Sequence, residues 1–416
     1  MSVQPQPAVT APEIAGERRL RQLLFGVDLL AFLGIGGAAL YIWRFWPRGH
    51  DVYSDLQQGA SETYLLIWMG VALAGALTAL NRKTRVISFA LSFLLLLECL
   101  AQLYFYSANH RPYHPWARGI LDRFEPHPIL VGIPHPGQYG GLSNDNMHRR
   151  TTINEGKASD AKLVYVFGGS STYDVGVVDS ETWASDLSRL LGPHYEVQNY
   201  GVPSFTTMEA MLQALFVFRD VKPPCAVYYE GWNDLYVAHV DNLSSDYFPM
   251  QQSRILDSLA LGYRPGVVSN YWLFLQLIDR ALQQGSGYPR ASGTVSGKED
   301  SRLSRIYTEN IRLIADIDHH FGVPAMFVPQ VLNYDLIESH YGGWWPLIPG
   351  NAVRPLVQKF NTDMKGAAEE SGALFLAAPL SMTWLPSDFV DQGHFSAAGA
   401  AKFAQAIAPD IAAHCK

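Results

Sequence analysis

Three apolar runs, at residues 22–43, 64–80 and 86–106, constrain this chain more than any other feature. Crossing a hydrocarbon core of ~30 Å takes roughly 17 to 25 helical residues, and each run is about that long. Backbone in lipid must satisfy its own hydrogen bonds, which leaves helices as the solution for isolated runs of this kind. The spacing predicts three transmembrane helices over 22–106, after a tail at 1–21. No small-residue cleavage site follows a short apolar core, so the first run reads as a span and not as a signal peptide.

Basic residues set the expected orientation. Arg18, Arg19 and Arg21 precede the first span, and Arg82, Lys83 and Arg85 fill the connection between the second and third, which places both segments in the cytoplasm. Arg44 and Arg48 pull weakly the other way. An odd number of spans then exports everything after Tyr106, giving a multi-pass protein of the plasma (inner) membrane with its bulk extracytoplasmic or periplasmic. Trp43, Trp46, Tyr64, Trp68, Tyr104 and Tyr106 fall where an interfacial aromatic belt is expected. Asp28 is close enough to the cytoplasmic end to reach the interface. Glu98 lies in mid-span with Gln102 one turn on, so it is expected either to hold helices together by hydrogen bonds or to meet a partner membrane protein. Gly34 with Ala38, and Gly70 with Ala74, are spaced for close helix packing.

Residues 107–416 carry 23 basic and 31 acidic side chains, which argues against nucleic acid and against anionic surfaces as partners. Residues 107–160, rich in Pro, His and Gly, read as an irregular spacer packed on the exported domain. Their histidines (His110, His114, His127, His135, His148) lack zinc-site spacing, and no metal is expected. From 161 to 416 apolar strands alternate with helical patterns: strands at 162–167, 195–199, 225–230, 325–328 and 374–376, helices near 181–191, 207–219, 302–320, 353–371 and from Ser396. Such alternation predicts a parallel sheet covered by helices, an α/β fold. Residues 285–300, rich in Gly and Ser, read as a mobile loop. Cys99 lies in a span. Cys225 opens a strand and Cys415 ends the chain, and no bridge is expected between them.

Chemistry is expected where Val164-Tyr165-Val166-Phe167 runs into Gly168-Gly169-Ser170-Ser171, because a glycine turn at the carboxyl end of a strand puts the next side chain where α/β sheets bind ligands. Asn199-Tyr200-Gly201, Gly231-Trp232-Asn233-Asp234 and Asp391-Gln392-Gly393-His394 follow at later strand ends. In order and type these four blocks resemble the SGNH hydrolases, the GDSL-type lipases and esterases, over roughly residues 160 to 416. The resemblance implies a flavodoxin-like three-layer α/β/α domain. It also implies a catalytic set of Ser170, His394 and Asp391 and an oxyanion hole of the Ser170 N–H, the Gly201 N–H and the Asn233 amide. The chain departs from the namesake motif in having Gly169 where an aspartate stands, and Ser171 is a minor rival nucleophile.

A serine needs a base within hydrogen-bond reach and a third group that orients the base. Asp391 and His394, two residues apart, suit that arrangement, and serine, histidine and aspartate need no cofactor. The expected function is removal of a short acyl group, acetyl among the candidates, from an envelope glycan or lipid. The alternatives are an O-acyltransferase supplied by a membrane acyl-donor protein, and an inactive glycan-binding or scaffold protein. Trp232, Trp344 and Trp345 are expected to touch substrate, since indoles stack on sugar faces; Tyr334 and Tyr341 belong to the same aromatic stretch at 333–350.

Overall fold

The computed structural model describes residues 11–45, 52–109, 113, 123–247, 271–278, 292–339 and 345–416. The chain forms two compact units, one built on the apolar helices and one on the sheet.

In the first unit, α1 (Ala11–Phe45), α2 (Val52–Ala79) and α3 (Arg85–Asn109) each contain a stretch long and apolar enough to cross a membrane. Asp28 is fully buried among the helices, and Ser92 Oγ donates to its Oδ2 at 2.8 Å. It sits against Gly75, where any Cβ would overlap the carboxylate. The close approach expected of Gly34 and Gly70 is therefore made by Gly75, since nothing lies within 4 Å of a Cβ built at the other two.

Glu98 binds helices together. Its Oε1 accepts from the Tyr64 hydroxyl and, at 3.0 Å, from the Leu273 N–H, while Oε2 accepts from the Phe274 N–H at 3.1 Å. Residues 273–278 are helical, so Glu98 supplies acceptors to first-turn N–H groups that have none inside a helix. Trp68 donates to the Tyr271 carbonyl at 3.0 Å. Tyr64 and Trp68, expected in an interfacial belt, are 6% exposed and belong to this cluster. Tyr104 and Tyr106 are exposed. The side chains of Trp43 and Ala38 and the whole of Trp46 lie outside the described residues.

The sheet unit begins with two antiparallel hairpins, β1 (Phe124–His127) with β2 (Val131–Pro134) and β3 (Gly137–Tyr139) with β4 (Leu142–Asn144). The stretch expected to be irregular is thus ordered in part. Five parallel strands follow: β5 (Lys162–Gly168), β6 (Tyr195–Asn199), β7 (Cys225–Tyr229), β8 (Ala325–Val328) and β9 (Leu374–Phe375), in the order β6-β5-β7-β8-β9. The chain leaves β5 toward one edge to make β6 and then crosses to the other side for β7. That reversal puts a crevice beyond the carboxyl end of β5.

Alternation along the strands makes two cores. Tyr165 and Phe167 of β5 and Tyr228 of β7 face α6 (Thr207–Asp220), α7 (Ser301–Phe321) and α9 (Gly350–Glu370), numbered after the short turn α4 (Ser170–Tyr173), α5 (Trp183–Leu191) and α8 (Tyr334–Ser339). Val164, Val166, Cys225 and Tyr229 face α5 and α10 (Ala397–His414). Helix α7 buries Leu303, Tyr307, Ile311 and Ile314, one face at the helical period. Its cap Asp300 accepts from the Arg302 and Leu303 N–H groups, and Gly322 ends it in the left-handed region. Residues 292–300 are tied down: Asp241 N donates to Ser292 O at 2.7 Å and Ser296 N to Leu347 O at 2.9 Å. The remainder of the stretch expected to be mobile, 285–291, lies outside the described residues.

Cys225 and Cys415 form a disulfide, with Cα atoms 5.3 Å apart, contrary to the sequence expectation. The cause is α10, which runs back along the sheet at 1.5 Å per residue and delivers its end to the start of β7. Both cysteines are wholly buried. Replacing both with serine should lower the unfolding free energy of the full chain by about 2–5 kcal/mol, the usual cost of losing a native bridge. Denaturant titration with and without reductant checks this, and a variant as stable as the oxidised parent would contradict it.

Candidate active site

β5 ends at Gly168, whose φ of +156° and close contact with Thr172 and the Tyr229 carbonyl leave no room for a Cβ. Gly169 then caps α4, with the Thr172 and Tyr173 N–H groups donating to its carbonyl at 3.1 and 3.0 Å. This turn sets Ser170 at its outer end, partly exposed. A Cβ on Gly169 would overlap the Asn233 amide, so this close approach requires the glycine.

The Ser170 Oγ–H meets His394 Nε2 at 2.8 Å, and His394 Nδ1–H meets Asp391 Oδ2 at 2.7 Å. These partners assign the neutral tautomer, with the proton on Nδ1 and the lone pair facing the serine. The other carboxylate oxygen of Asp391 accepts from the Gly393 and His394 N–H groups, each at 2.9 Å. Burial raises the Asp391 carboxyl, but the interaction with His394 and these hydrogen bonds outweigh it and hold it below the ordinary carboxylate value. The loop is closed by Val390 N donating to His394 O at 2.9 Å, and Ser396 directly after it caps α10.

Asn233 is buried, and its Nδ2 donates to Phe205 O at 2.7 Å, which leaves the second amide hydrogen for another acceptor. The Gly201 N–H, expected to face the same space, is instead donated to Asn199 Oδ1 at 2.8 Å. A backbone N–H has one hydrogen, so this one is spent; Gly201 serves packing, since a Cβ there would overlap the backbone of α4. Three residues on, Ser204 holds φ +71° in the turn closed by Phe205 N and Val202 O. Among the described residues its N–H has no acceptor. A non-glycine in that region is the one signal by which sequence reasoning could have been redirected, and only the backbone displays it.

Ser171 points away, its Oγ donating to Gly393 O at 3.3 Å. Trp232 is 5% exposed and lies against His394, ring centroids 4.9 Å apart. Trp345, expected to face a sugar, is 2% exposed and donates its indole N–H to Trp232 O at 3.1 Å; it is packed inside the domain. Trp344 and Tyr341 lie outside the described residues. Tyr334 is half-buried, with the Arg354 guanidinium 4.6 Å from its ring centre. Asp234 accepts from the Thr207 N–H and, at 2.5 Å, from the Thr207 hydroxyl, joining the third block to the start of α6.

Two charged residues at the site gave no sequence signal. Arg150, fully buried, donates to the carbonyls of Ser143, Tyr173 and Val177 and pairs with Asp179, pinning the chain that follows α4. Burial brings its guanidinium down to about 10. Asp174 ends α4 at φ +64°, accepts from the Trp183 N–H at 2.7 Å, and is pushed up to about 7 by burial.

No protein-family model and no curated protein matches the chain. Among solved structures it is similar to TesA, at 13% identity over 60% of this chain and 98% of that one, TM-score 0.37. A protein ascribed to the G-D-S-L lipolytic family from Desulfitobacterium hafniense matches at 12% identity over 60% and 98%, TM-score 0.34. A catalytic variant of Axe2, an acetylxylan esterase from Geobacillus stearothermophilus, matches at 14% identity over 62% and 96%, TM-score 0.34. The strand order, the glycine turn bearing Ser170 and the Asp391–His394 loop ahead of the last helix agree with the parallel α/β layout that the sequence predicts.

A carboxyl held near 7 in the fold keeps its proton when the unfolded chain, titrating near 4, has lost it. The native state then binds more protons between about pH 4 and 7, and stability falls as pH rises through that window. Asp174→Asn removes this dependence. The melting temperature of Asp174→Asn relative to the parent should therefore rise from pH 5 to pH 8, and a constant difference would count against the buried acid.

Proposed function

We propose that this chain is a membrane-anchored serine esterase whose sheet unit faces outward and removes a short acyl group, acetyl foremost, from an envelope glycan or lipid. The observation that carries the reading is the continuous Ser170–His394–Asp391 hydrogen-bond chain at the switch point of the sheet. His394 Nε2 takes the Ser170 proton as Oγ forms its bond to the ester carbonyl, and Asp391 stabilises the imidazolium. Negative charge on the carbonyl oxygen is met by the Ser170 N–H, by the free hydrogen of the Asn233 amide and, in place of Gly201, by the Ser204 N–H. The intermediate collapses as His394 protonates the departing alkoxide. Water, deprotonated by the same imidazole, then releases the acid and restores Ser170.

Outward orientation is supported by the basic residues flanking the apolar helices and by the Cys225–Cys415 bridge, since disulfides persist in oxidising compartments. If a sugar hydroxyl replaces water as acceptor, the same site is an acyltransferase and a membrane protein would supply the acyl group. Release of free acid separates the two. A scaffold role would leave the aligned serine, histidine and aspartate without use.

Three outcomes test the reading on the full chain in detergent. A fluorophosphonate should label Ser170 and fail to label Ser170→Ala; a folded parent that stays unlabelled removes the proposal. Asn233→Ala should lower kcat on a simple acetyl ester about 10²- to 10³-fold, the usual loss of one oxyanion donor. Gly169→Asp, which restores the namesake motif, should also lower kcat, because its Cβ displaces the Asn233 amide; an unimpaired variant would show that the close approach does not matter.

A further inference from the structure

We propose that Trp232 is a positioning residue for the catalytic base: its indole face fixes the His394 ring opposite Ser170 and stabilises the imidazolium formed during acyl transfer. The inference rests on the esterase reading and deepens it. It also gives Trp232 a different role from the sugar contact that the sequence suggested.

The two hydrogen bonds of His394, to Asp391 and to Ser170, both lie in the plane of the imidazole. They define the line between the partners but leave the ring able to rock about it. A contact on the face removes that freedom. Trp232 supplies it, with ring centroids 4.9 Å apart and planes inclined by 33°. The indole is itself held in place, since Trp345 packs on it with ring centroids 6.0 Å apart and donates to its carbonyl. So is the loop: Gly393 lies on the indole so closely that a Cβ would overlap the ring. The absence of a side chain next to His394 thus follows from the presence of Trp232.

Charge gives the contact a second effect. When His394 accepts the serine proton, a cation appears within the roughly 6 Å over which an aromatic face attracts one. Among the described residues, the titratable groups that act on His394 include Asp391 on its own loop and Asp174 at the end of α4, the latter driven toward its neutral form by burial. Both are unchanged in the variants below, so any difference between them belongs to the ring. Asn233 is the next residue along, so one strand end holds the base in place and presents a donor to the oxyanion.

The test compares parent, Trp232→Phe, Trp232→Leu and Gly393→Ala as full chains in detergent, following kcat and KM for 4-nitrophenyl acetate across pH and fluorophosphonate labelling of Ser170. Trp232→Leu should lower kcat about ten-fold, within the range of a desolvated cation–aromatic contact, with KM changed less than about two-fold. Activity requires the neutral imidazole, and without the aromatic face the ring loses its proton at lower pH. The acid limb of the profile should therefore move down by about half a pH unit or more. Trp232→Phe should keep most of both properties. Gly393→Ala forces the indole off the ring without shortening it and should reproduce the limb shift even if the leucine variant fails to fold. A leucine variant equal to phenylalanine in plateau and limb, a change confined to KM, or an unshifted limb in Gly393→Ala overturns the proposal. An unlabelled parent overturns the esterase reading and this inference together, whereas a labelled parent with unshifted variants removes this inference alone.

Discussion

The close approach of chain segments at the end of β5 is the constraint on which the rest of the site depends. Gly169 lets the Asn233 amide lie against the turn that bears Ser170, and Gly393 lets the Asp391–His394 loop lie against Trp232. Segments from β5, β7 and the α10 loop thereby converge within hydrogen-bond reach although they are far apart in sequence; Ser170 and His394 are 224 residues apart. Packing of this density has little tolerance for an added methyl group. Residue 169 is therefore held to glycine by the neighbour that fills the space beside it.

Electrostatics sorts the two carboxyls near the serine into different roles. Asp391 is held ionised by His394 and by two backbone N–H groups, whereas Asp174, fully buried with one hydrogen-bonded oxygen, is driven toward the neutral form. Environments that separate two acids in this way identify which one can support a developing imidazolium. Arg150 belongs to the same region but acts on the backbone. A buried guanidinium is costly unless its donors are used, and Arg150 uses them on three carbonyls and Asp179, so its burial makes the chain after α4 rigid.

Most of the sheet unit was legible in the sequence because parallel α/β folds announce themselves locally: an apolar strand, a turn and an amphipathic helix recur, and each strand end marks a point on one edge. The strand-end blocks that contain Ser170, Asn233, Asp391 and His394 could be placed on one edge for that reason, and the structure brings these residues together. Most of what could not be read depends on long-range geometry. The Cys225–Cys415 bridge follows from the length and course of α10, which bring together residues 190 positions apart. The Gly201 N–H is taken by a side chain two residues earlier, a local detail that no motif encodes. Trp345 has the composition of a binding surface and the burial of a core residue, and only packing distinguishes the two. The burial of Asp28 against Ser92 likewise depends on a partner that lies on another helix.

Glu98 shows how an ionisable group can be accommodated in an apolar helix by the chain's own later residues. A carboxylate without donors and a helix start without acceptors are both unfavourable in a medium without water. Here the N–H groups of Leu273 and Phe274 meet the Glu98 oxygens, 175 and 176 residues away, and each group removes the other's deficit. Tyr64, with Gln102 donating to it, completes the surround. The carboxylate is thereby occupied from within the chain.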